Sequence, residues 1–284
     1  MEIKSLEKTN IDVICNAFCQ AFADYEIQIN TQELKTTLKR RGFQPDLSFA
    51  AFEGDDIVAF TLNGIGNYNE KKMAYDTSTG TLKEYRGKGL ATKVFEYSIP
   101  YLKKANISHY LLEVLQNNTK AFSVYQNLGF EITRELNCFS WNNDEIVNNI
   151  KKIEAPCIIE KIDIEKHTHV SDFWDYEPSW QNSFESIRRT KEDFISLGAC
   201  IDRNLVGYCV FEPNSGDITQ LAVSKPFRRK GIASLLLHEI GKINKNARTK
   251  LINSDSSCSA VVDFLKAKNI DVSRKQYEML KEIG

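Results

Sequence analysis

Hydrophobic positions recur with two spacings along the chain, and together they predict alternating helices and strands. Apolar residues three or four apart predict an amphipathic helix over 10–23, with Ile11, Ile14, Phe18 and Phe22 on one face. Short apolar runs bounded by turn residues predict strands. In the first half, further helices are predicted over 31–41, 88–105 (kinked or shortened by Pro100) and 118–128. The strands there are predicted over 47–52, 57–62, 73–82, 109–115 and 130–140.

The second half repeats this order of elements. Its helical segments are predicted over 173–189 and 191–194, with an interruption at Pro178, and over 231–243 and 259–268. Its strands are predicted over 199–201, 205–211, 217–223, 250–252 and 272–280. A polar stretch between the halves favours a domain over 1–145, a linker over 146–156 and a domain over 157–284. The predicted fold class is α/β, with two tandem units that each combine a mixed sheet with helices on both faces.

Composition and charge narrow the classes of function. The 284 residues are 42% hydrophobic and 26% charged, which is typical of a globular protein. A net charge of −1 disfavours general nucleic-acid binding, and no apolar stretch reaches the roughly 20 residues of a membrane span. The cysteine count of 7 is odd and lacks zinc-knuckle spacing, which favours reduced thiols. We therefore expect a cytoplasmic protein without a metal, without nucleic-acid or membrane partners, as a monomer or homodimer.

A basic phrase containing glycine occurs once in each half. Arg86-Gly-Lys-Gly-Leu-Ala and Arg228-Arg-Lys-Gly-Ile-Ala each follow a predicted strand and open a predicted helix. Glycine lets a ligand approach the backbone, and the first amides of a helix are unpartnered at the positive end of its dipole. The phrases therefore predict cradles for pyrophosphate, with Arg86 and Lys88 adding charge at the first rim. Neither copy matches a Walker A loop or a Rossmann fingerprint, and a turn that merely caps a helix is the alternative.

The R-x-x-G-x-A phrase after a strand resembles the acetyl-CoA signature of the GCN5-related N-acetyltransferases. The first half is also similar to the next motif of that family, in the strand 110–115 followed by Asn117-Asn-Thr-Lys-Ala-Phe-Ser-Val-Tyr-Gln-Asn-Leu-Gly-Phe. The resemblance covers nearly the whole chain as two tandem units, like the bacterial two-domain acetyltransferases. Its motifs are specific in the first half and partly specific in the second. It implies two GNAT-like acyl-CoA N-acyltransferase domains.

The resemblance implies direct attack of an amine on the thioester of acetyl-CoA. It assigns acetyl-CoA binding in the first half to Thr81, Leu82, Arg86, Gly87, Lys88, Gly89, Leu90, Ala91 and Asn117. In the second half it assigns binding to Leu221, Val223, Arg228, Arg229, Lys230, Gly231, Ile232 and Ala233. Tyr125 matches the general acid that protonates the leaving thiolate, and an ordinary helix aromatic beside Phe122 is the alternative.

The base that takes the proton of the amine is open to several readings. Glu113 interrupts a leucine-rich strand, where a carboxylate is costly unless it is paired or used, so we predict Glu113 as a catalytic residue. Asp76 in the preceding strand and a chain of water molecules are alternatives. Asn117 or Asn118 either hydrogen-bonds the pantetheine arm or caps the following helix.

The second half departs from the family pattern. Aligning 269–270 with 129–130 puts Leu265 where the first half has Tyr125. Either the thiolate leaves unassisted there, or a group such as Tyr277 donates a proton, or this unit binds without catalysing.

The sequence as a whole predicts an acetyl-CoA-dependent N-acetyltransferase that acts on a primary amine of a small molecule or peptide. The aromatic and acidic segment 172–181 would suit a cationic amine, or else it forms a docking or core surface. The alternatives are a non-catalytic acyl-CoA-binding or regulatory protein, one active and one degenerate domain, or transfer of a longer acyl group.

Overall fold

The computed structural model describes residues 1–25, 28–143 and 157–284. In chain order, the strands and α-helices of these residues are β1 (Glu2–Ser5), α1 (Ile11–Ala21), α2 (Thr31–Arg41), β2 (Phe49–Glu53), β3 (Asp56–Tyr68), β4 (Lys71–Thr81), α3 (Leu90–Lys104), β5 (His109–Leu115), α4 (Thr119–Asn127), β6 (Glu131–Asn142), β7 (Ile158–Lys161), α5 (Phe184–Arg189), β8 (Ile195–Ile201), β9 (Asn204–Glu212), β10 (Asp217–Val223), α6 (Ile232–Ile243), β11 (Arg248–Asp255), α7 (Ser259–Lys266) and β12 (Val272–Glu282). Among these helices, none is both long and apolar enough to cross a membrane. The predicted linker over 146–156 lies outside the described residues.

The chain forms two compact units, and each draws segments from both halves of the sequence. Unit 1 consists of 1–133, 183–190 and 277–284, and unit 2 consists of 134–182 and 191–276. Helix α5 and the end of β12 therefore belong to unit 1, whereas most of β6 belongs to unit 2. The predicted α/β class with mixed sheets is confirmed, because each unit combines antiparallel strand pairs with one parallel pair.

The sheet of unit 1 has the strand order β1-β2-β3-β4-β5, followed by the end of β12. Strands β1 to β4 pair antiparallel, and β4 pairs parallel with β5. Successive residues of β2 point to opposite faces, as the pleat of a strand requires. Phe49 and Ala51 pack with α3, whereas Ala50 and Phe52 pack with α1 and α2. Helices therefore cover both faces of this sheet.

Local signals fix the ends of the first helices. Asn30 and Glu33 form a capping box at the start of α2. Gly42, in the left-handed conformation at φ 80°, ends that helix. Pro100 does not shorten α3, which continues to Lys104. Proline removes the helical hydrogen bond to the carbonyl four residues earlier, and that residue, Glu96, is exposed.

Unit 2 begins its sheet with residues 272–276 of β12 and continues β6-β11-β10-β9-β8-β7. The pair β10 and β11 is parallel. The core packs Leu236 and Ile240 of α6 and Leu265 of α7 against Phe211 and Ile218 of the sheet. This unit therefore repeats the arrangement of a parallel pair next to a strand-to-helix turn.

The structure differs from the helical prediction for 173–189. Only the end of this segment is α-helical, as α5, and it begins after the N-cap Ser183. Glu177 precedes Pro178, which disfavours helical backbone at Glu177. The buried polar groups nearby bond to β11 instead: Asn182 donates to the Ile252 carbonyl at 2.9 Å. These bonds hold the segment against the sheet of unit 2.

Candidate active site

Strands β4 and β5 part in unit 1 and leave a gap between them. Their pairing is limited to the registers from Met73–His109 to Tyr75–Leu111. Immediately after Asp76, the pairing of β4 with β3 shifts, so that Thr77 is an extra residue in β4. A bulge of this kind bends a strand and redirects its side chains. Polar side chains of β4 therefore gather at the point where the two strands separate.

The first glycine phrase forms an open turn between β4 and α3. Gly87 and Gly89 have φ values of 76° and 71°, a left-handed conformation that glycine adopts without steric cost. A Cβ added at either residue would meet no atom within 4 Å. Gly89 is the N-cap of α3 and contributes no side chain there. The amides of the first helical turn therefore face free space, as an anion cradle requires.

Arg86 joins this turn to the segment after α1. The sequence predicts instead that its charge lies at the rim of the pyrophosphate cradle. Its guanidinium forms an ion pair with Asp24 at 2.6 Å. It also donates to the carbonyls of Ala21 at 2.7 Å and Thr81 at 3.3 Å. The hydrogen bond from Arg86 lowers the pKa of Asp24 to about 2. The charge of Arg86 is thus used within the protein.

The other predicted residues of the first cradle keep positions beside it. The Leu82 amide donates to the Val58 carbonyl at 2.9 Å, which ties the end of β4 to β3. The ammonium of Lys88 lies 4.7 Å from the centre of the Tyr85 ring. Thr81 uses its carbonyl for Arg86. Leu90 and Ala91 are the first two residues of α3.

Tyr125 of α4 contacts Asp76 of β4, the first residue of β4 after its pairing with β5 ends. The Tyr125 hydroxyl donates to Asp76 Oδ2 at 3.0 Å. The Thr79 hydroxyl donates to the same oxygen at 2.9 Å. Asp76 Oδ1 is buried and has no hydrogen-bond partner among the described residues. The carboxylate therefore has one oxygen engaged and one available.

Burial dominates the ionisation of this pair. It raises the pKa of Asp76 to about 6, against the lowering effect of the hydrogen bonds from Thr79 and Tyr125 and of the charge on Arg41. Burial also raises the pKa of Tyr125 well above its usual range, and the charge of Asp76 raises it further. At neutral pH, Asp76 is mainly ionised and Tyr125 is protonated.

Glu113, the predicted base, lies with Tyr75 and apart from this pair. It is half-buried in β5, and its hydrogen bond and charge raise the pKa of the buried Tyr75, after the larger effect of burial. Arg41 of α2 approaches the same ring to 5.9 Å and donates to the Thr77 carbonyl at 3.0 Å. The contact to Tyr125 is made by Asp76, which the sequence offers as an alternative base.

The two asparagines before α4 have different places. Asn118 is the N-cap, and its side chain accepts from the Ala121 amide at 3.2 Å. Asn117 precedes it and is exposed. Asn118 therefore fits the helix-capping reading, and Asn117 stays a predicted ligand of the pantetheine arm.

Unit 2 repeats the cradle with one glycine fewer. Gly231, at φ 89°, is the N-cap of α6, as Gly89 is of α3. Arg229 has a φ of 64° at the position of Gly87. A non-glycine residue in this conformation costs about 1–2 kcal/mol and carries a Cβ where the first cradle has none. The second cradle is therefore less open, although its backbone follows the same path.

The arginine fastening is repeated as well. Arg228 donates to the carbonyls of Val223 and Phe173, both at 2.9 Å, and pairs with Asp175 at 2.9 Å. The ammonium of Lys230 lies 5.0 Å from the centre of the Phe227 ring. Each unit thus ties its cradle to an earlier segment through one arginine and one aspartate.

The pair of Asp76 and Tyr125 has apolar counterparts in unit 2. Counting ten residues back from the arginine of each phrase leads to Asp76 in one unit and Ile218 in the other. Both residues directly precede the extra residue of a bulge, Thr77 or Thr219. On the helix, the Tyr125 carbonyl accepts from the Phe130 amide, and the Leu265 carbonyl accepts from the Ile270 amide, each at 3.0 Å. Ile218 and Leu265 are both fully buried.

A polar network spans the parted strands of unit 2. Pairing of β10 with β11 is limited to the registers Asp217–Lys250 and Ile218–Leu251. Gln220 of β10 donates to the Asn182 carbonyl at 2.6 Å, and Asn182 donates in turn to the Ile252 carbonyl of β11. The segment that carries Asn182 thus bridges the two strands.

Tyr277, proposed as an acid for this unit, packs on Phe122 in unit 1.

Sequence reasoning missed Asp24, Thr79 and Arg41. Asp24 follows α1 without any motif, and its partner lies 62 residues away in the chain. Thr79 stands three residues after Asp76, which in a regular strand would place the two side chains on opposite faces. The bulge at Thr77 brings them together. The polar run Asp76-Thr-Ser-Thr in an otherwise apolar strand was the available signal.

The chain matches the model of the acetyltransferase (GNAT) family over residues 15–130 and 160–251. N-alpha-acetyltransferase 30 of Schizosaccharomyces pombe is 30% identical over 87 residues, which are 30% of this chain and 58% of that protein. N-alpha-acetyltransferase MAK3 of Arabidopsis thaliana is 27% identical over 86 residues, which are 30% of this chain and 45% of that protein. The chain thus spans about half the length of these curated relatives.

Solved structures resemble the chain over nearly its full length. A GCN5-related N-acetyltransferase from Sphaerobacter thermophilus has a TM-score of 0.74 at 15% identity and covers 99% of this chain and 95% of its own. A tandem GNAT protein from the clavulanic acid biosynthesis pathway has a TM-score of 0.73 at 11% identity, with 100% and 98% covered. At these identities the likeness shows the fold, which is the tandem one that the repeated phrase predicts.

Proposed function

The chain belongs to the acetyltransferase (GNAT) family, and on that premise we propose that it is an N-acetyltransferase that moves an acetyl group from acetyl-CoA to a primary amine. The observation that carries the proposal is the pair of Asp76 and Tyr125, 3.0 Å apart, in the unit that also has the open glycine cradle. The acceptor is an amine of a small molecule or a peptide. The names of the curated relatives, which are N-alpha-acetyltransferases, support nitrogen as the acceptor atom.

The residues of unit 1 fit acetyl-CoA. The space before Gly87 and Gly89, which a Cβ would fill, lies at the start of a helix whose amides favour phosphate. Acetyl-CoA supplies the acetyl group as a thioester and leaves as a thiol. The turn amides of the cradle, including those of Leu90 and Ala91, would hold its pyrophosphate, and the unpaired edge of β4 at Thr81 would bind its pantetheine arm.

Two side chains of unit 1 would serve the proton transfers. Tyr125 holds a proton at neutral pH and would give it to the leaving sulfur. Asp76 is ionised above about pH 6 and would accept a proton from the amine. We assign the base to Asp76 in preference to Glu113 because Asp76 accepts the hydrogen bond from Tyr125.

A second candidate function applies to unit 2, which we propose binds an acyl-CoA without catalysing transfer. In this unit the apolar side chains of Ile218 and Leu265 stand at the positions of the carboxylate Asp76 and of the acid Tyr125, respectively. Arg229 narrows the cradle, but Gly231 keeps the helix start. The unit would then act as a binding or regulatory module beside one catalytic unit.

Calorimetric titration with acetyl-CoA tests the binding part of the proposal. Two sites would support two working cradles, one site would show that a cradle has decayed, and no heat of binding would overturn the assignment. Gly89→Glu should abolish the site in unit 1, because it places a carboxylate where phosphate should bind. Gly54→Glu is the matched control, since Gly54 has a φ of 60° in an open turn of the same unit.

The acceptor requires a direct search. A panel of primary amines and peptides, with detection of the released CoA thiol, should reveal turnover that Gly89→Glu abolishes. Turnover that survives in Gly89→Glu would locate the reaction outside the first cradle.

A further inference from the structure

The two oxygens of the Asp76 carboxylate have different surroundings. Oδ2 accepts hydrogen bonds from Tyr125 and Thr79. Oδ1 is buried, and no described residue bonds to it. A buried acceptor without a partner costs free energy, so its retention favours a use in binding or catalysis. The two oxygens belong to one carboxylate: Oδ1 has no hydrogen-bond partner among the described residues, and Oδ2 accepts the hydrogen bond from the Tyr125 hydroxyl.

Unit 2 supplies an independent observation. It lacks both the carboxylate and the phenol at the matching positions, where Ile218 and Leu265 pack in its core. An aspartate left beside Leu265, or a tyrosine left beside Ile218, would be a buried polar group without its partner. The two groups are present together in one unit and absent together in the other. This pattern is expected of two residues that work as a unit.

We infer that Asp76 and Tyr125 form one ordered proton relay, in which the arrival of the amine proton on Asp76 releases the Tyr125 proton to the leaving sulfur. The inference rests on the proposed function of unit 1. It makes the two proton transfers dependent on each other, where separate acid and base groups would act independently.

The transfers balance as follows. The nitrogen of a neutral amine forms a bond to the thioester carbon, and one N–H proton passes to Asp76 Oδ1. The carbon–sulfur bond breaks with its electron pair on sulfur, and the Tyr125 hydroxyl gives its proton to that sulfur. Rotation of the protonated carboxyl group about its Cβ–Cγ bond then presents its proton to the phenolate. Amide and thiol are the products, and both side chains return to their initial states.

Electrostatics gives the order of the two steps. Burial and the negative charge of Asp76 both hold the proton on Tyr125, so an ionised Asp76 makes Tyr125 a poor acid. Protonation of Asp76 removes the second of these effects at the moment when the sulfur needs a proton. The titratable and charged groups that interact with Asp76 from the packed elements are Arg41 of α2, Tyr75 of β4, Tyr110 of β5 and Tyr125 of α4, whereas Glu113 of β5 interacts with Tyr75. Arg41 favours the ionised form and burial opposes it.

The first test follows the carboxyl group itself, without substrate. In protein labelled with ¹³C at aspartate carboxyl groups, the resonance that Asp76→Asn removes should titrate at about pH 6. Tyr125→Phe removes a hydrogen bond that lowers this pKa, so the titration should move to higher pH. An Asp76 resonance that does not move in Tyr125→Phe would overturn the contact on which the relay depends. Tyr97→Phe, on the exposed face of α3, is the matched control and should leave it unchanged.

The second test is a double-mutant cycle on turnover. Asp76→Asn and Tyr125→Phe should each lower kcat by about 10²- to 10⁴-fold, the usual contribution of a positioned acid or base. If the two groups form one relay, the double variant should be no slower than the slower single variant. Losses that multiply would mean independent roles and would overturn the relay.

The pH profile separates the relay from a structural role. The wild-type kcat/KM for the amine should rise more steeply below about pH 6 than above it, because Asp76 ionises near pH 6 whereas a primary amine, with a pKa near 10, loses its proton progressively over the whole range. The change of slope near pH 6 should be absent in Asp76→Asn and shifted to higher pH in Tyr125→Phe. Asp76→Asn is nearly isosteric and should still bind acetyl-CoA in calorimetry. If the wild-type protein neither binds acetyl-CoA nor releases its thiol, the proposed function fails; if it does both and Asp76→Asn keeps the change of slope near pH 6, only the relay fails.

Discussion

At the scale of single residues, Asp76 makes the stability of the protein depend on pH. A carboxylate with a folded-state pKa of about 6, above its ordinary 3.8, is destabilising when ionised. The stability that comes from holding the proton is fully present below pH 3.8 and is lost as the pH rises through about 6. The protein thus retains a residue that lowers its stability at neutral pH, a pattern common at functional sites.

This cost can be measured with Asp76→Asn. The free energy of unfolding of the wild type, taken relative to the variant, should fall between about pH 3 and 7 by an amount on the order of 3 kcal/mol, since each pKa unit corresponds to about 1.36 kcal/mol. Denaturant titrations across this range supply the values. Asp55→Asn, in the exposed turn between β2 and β3, is the control and should show no comparable change. A difference that does not vary with pH would mean that Asp76 is not held with a raised pKa.

A residue of the site can be predicted from the sequence only where its role depends on its immediate neighbours in the chain. Gly87 and Gly89 could be predicted, because a turn that opens a helix needs only its own residues. The pairing of Asp76 with Thr79 could not, because it depends on one extra residue in β4. Glu113 drew attention because it interrupts an apolar strand, yet its partner Tyr75 comes from the neighbouring strand. Which carboxylate meets Tyr125 is decided by how α4 packs on the sheet.

At the scale of elements, each cradle is tied to an earlier segment by an arginine and an aspartate. Arg86 joins the turn before α3 to the segment after α1, and Arg228 joins the turn before α6 to the segment around Asp175. Both arginines also bond the carbonyl five residues before them, at the end of the preceding strand. The motif marks the two arginines and predicts that they bind acetyl-CoA. Their pairing with Asp24 and Asp175 is not predicted, because no motif in the sequence marks either aspartate.

Breaking the first fastening should loosen the cradle without touching the pair of Asp76 and Tyr125. Asp24→Asn should raise the KM for acetyl-CoA roughly tenfold, since it removes the charge from a charge-assisted hydrogen bond, and should change kcat much less. Steady-state kinetics at saturating amine measures both constants. Asp12→Asn, which breaks the exposed pair with Lys35, is the control and should leave both constants unaltered. A KM for acetyl-CoA that does not change in Asp24→Asn would show that the fastening is dispensable.

At the scale of the whole molecule, the residues that complete unit 1 come from far along the chain. Met279 and Ile283 are buried with Phe130 and Leu112 in one core cluster of unit 1. The sequence predicts the tandem repeat, since each half carries its own phrase. It does not predict which unit receives β6 or β12, because neither strand carries a motif that identifies its neighbours and their partners are set by distant pairing.

Truncation of two buried isoleucines should separate the effects on the two units. Ile283→Ala should cost about 2–5 kcal/mol through lost packing and raise amide hydrogen exchange in β5 of unit 1. Ile270→Ala should have a similar cost but raise exchange in β11 of unit 2. Exchange measured by mass spectrometry on peptides from 109–115 and 248–255 distinguishes the two. Ile283→Ala that affects only 248–255 would contradict the assignment of residues 277–284 to unit 1.

Because unit 1 takes residues from 1–133 and from 277–284, its parts are synthesised at different times. Translation delivers residue 133 long before residue 277, and at about 5–20 residues per second the interval is roughly 7 to 30 s. During that time β5 is exposed on the nascent chain without its neighbour, and an unpaired strand edge invites association with other chains. Nascent unit 1 is therefore exposed to chaperones and to misfolding until the end of β12 is made. A ribosome that stops early leaves a chain in which the glycine turn, Asp76 and Tyr125 are already made, but the sheet that positions them is unfinished.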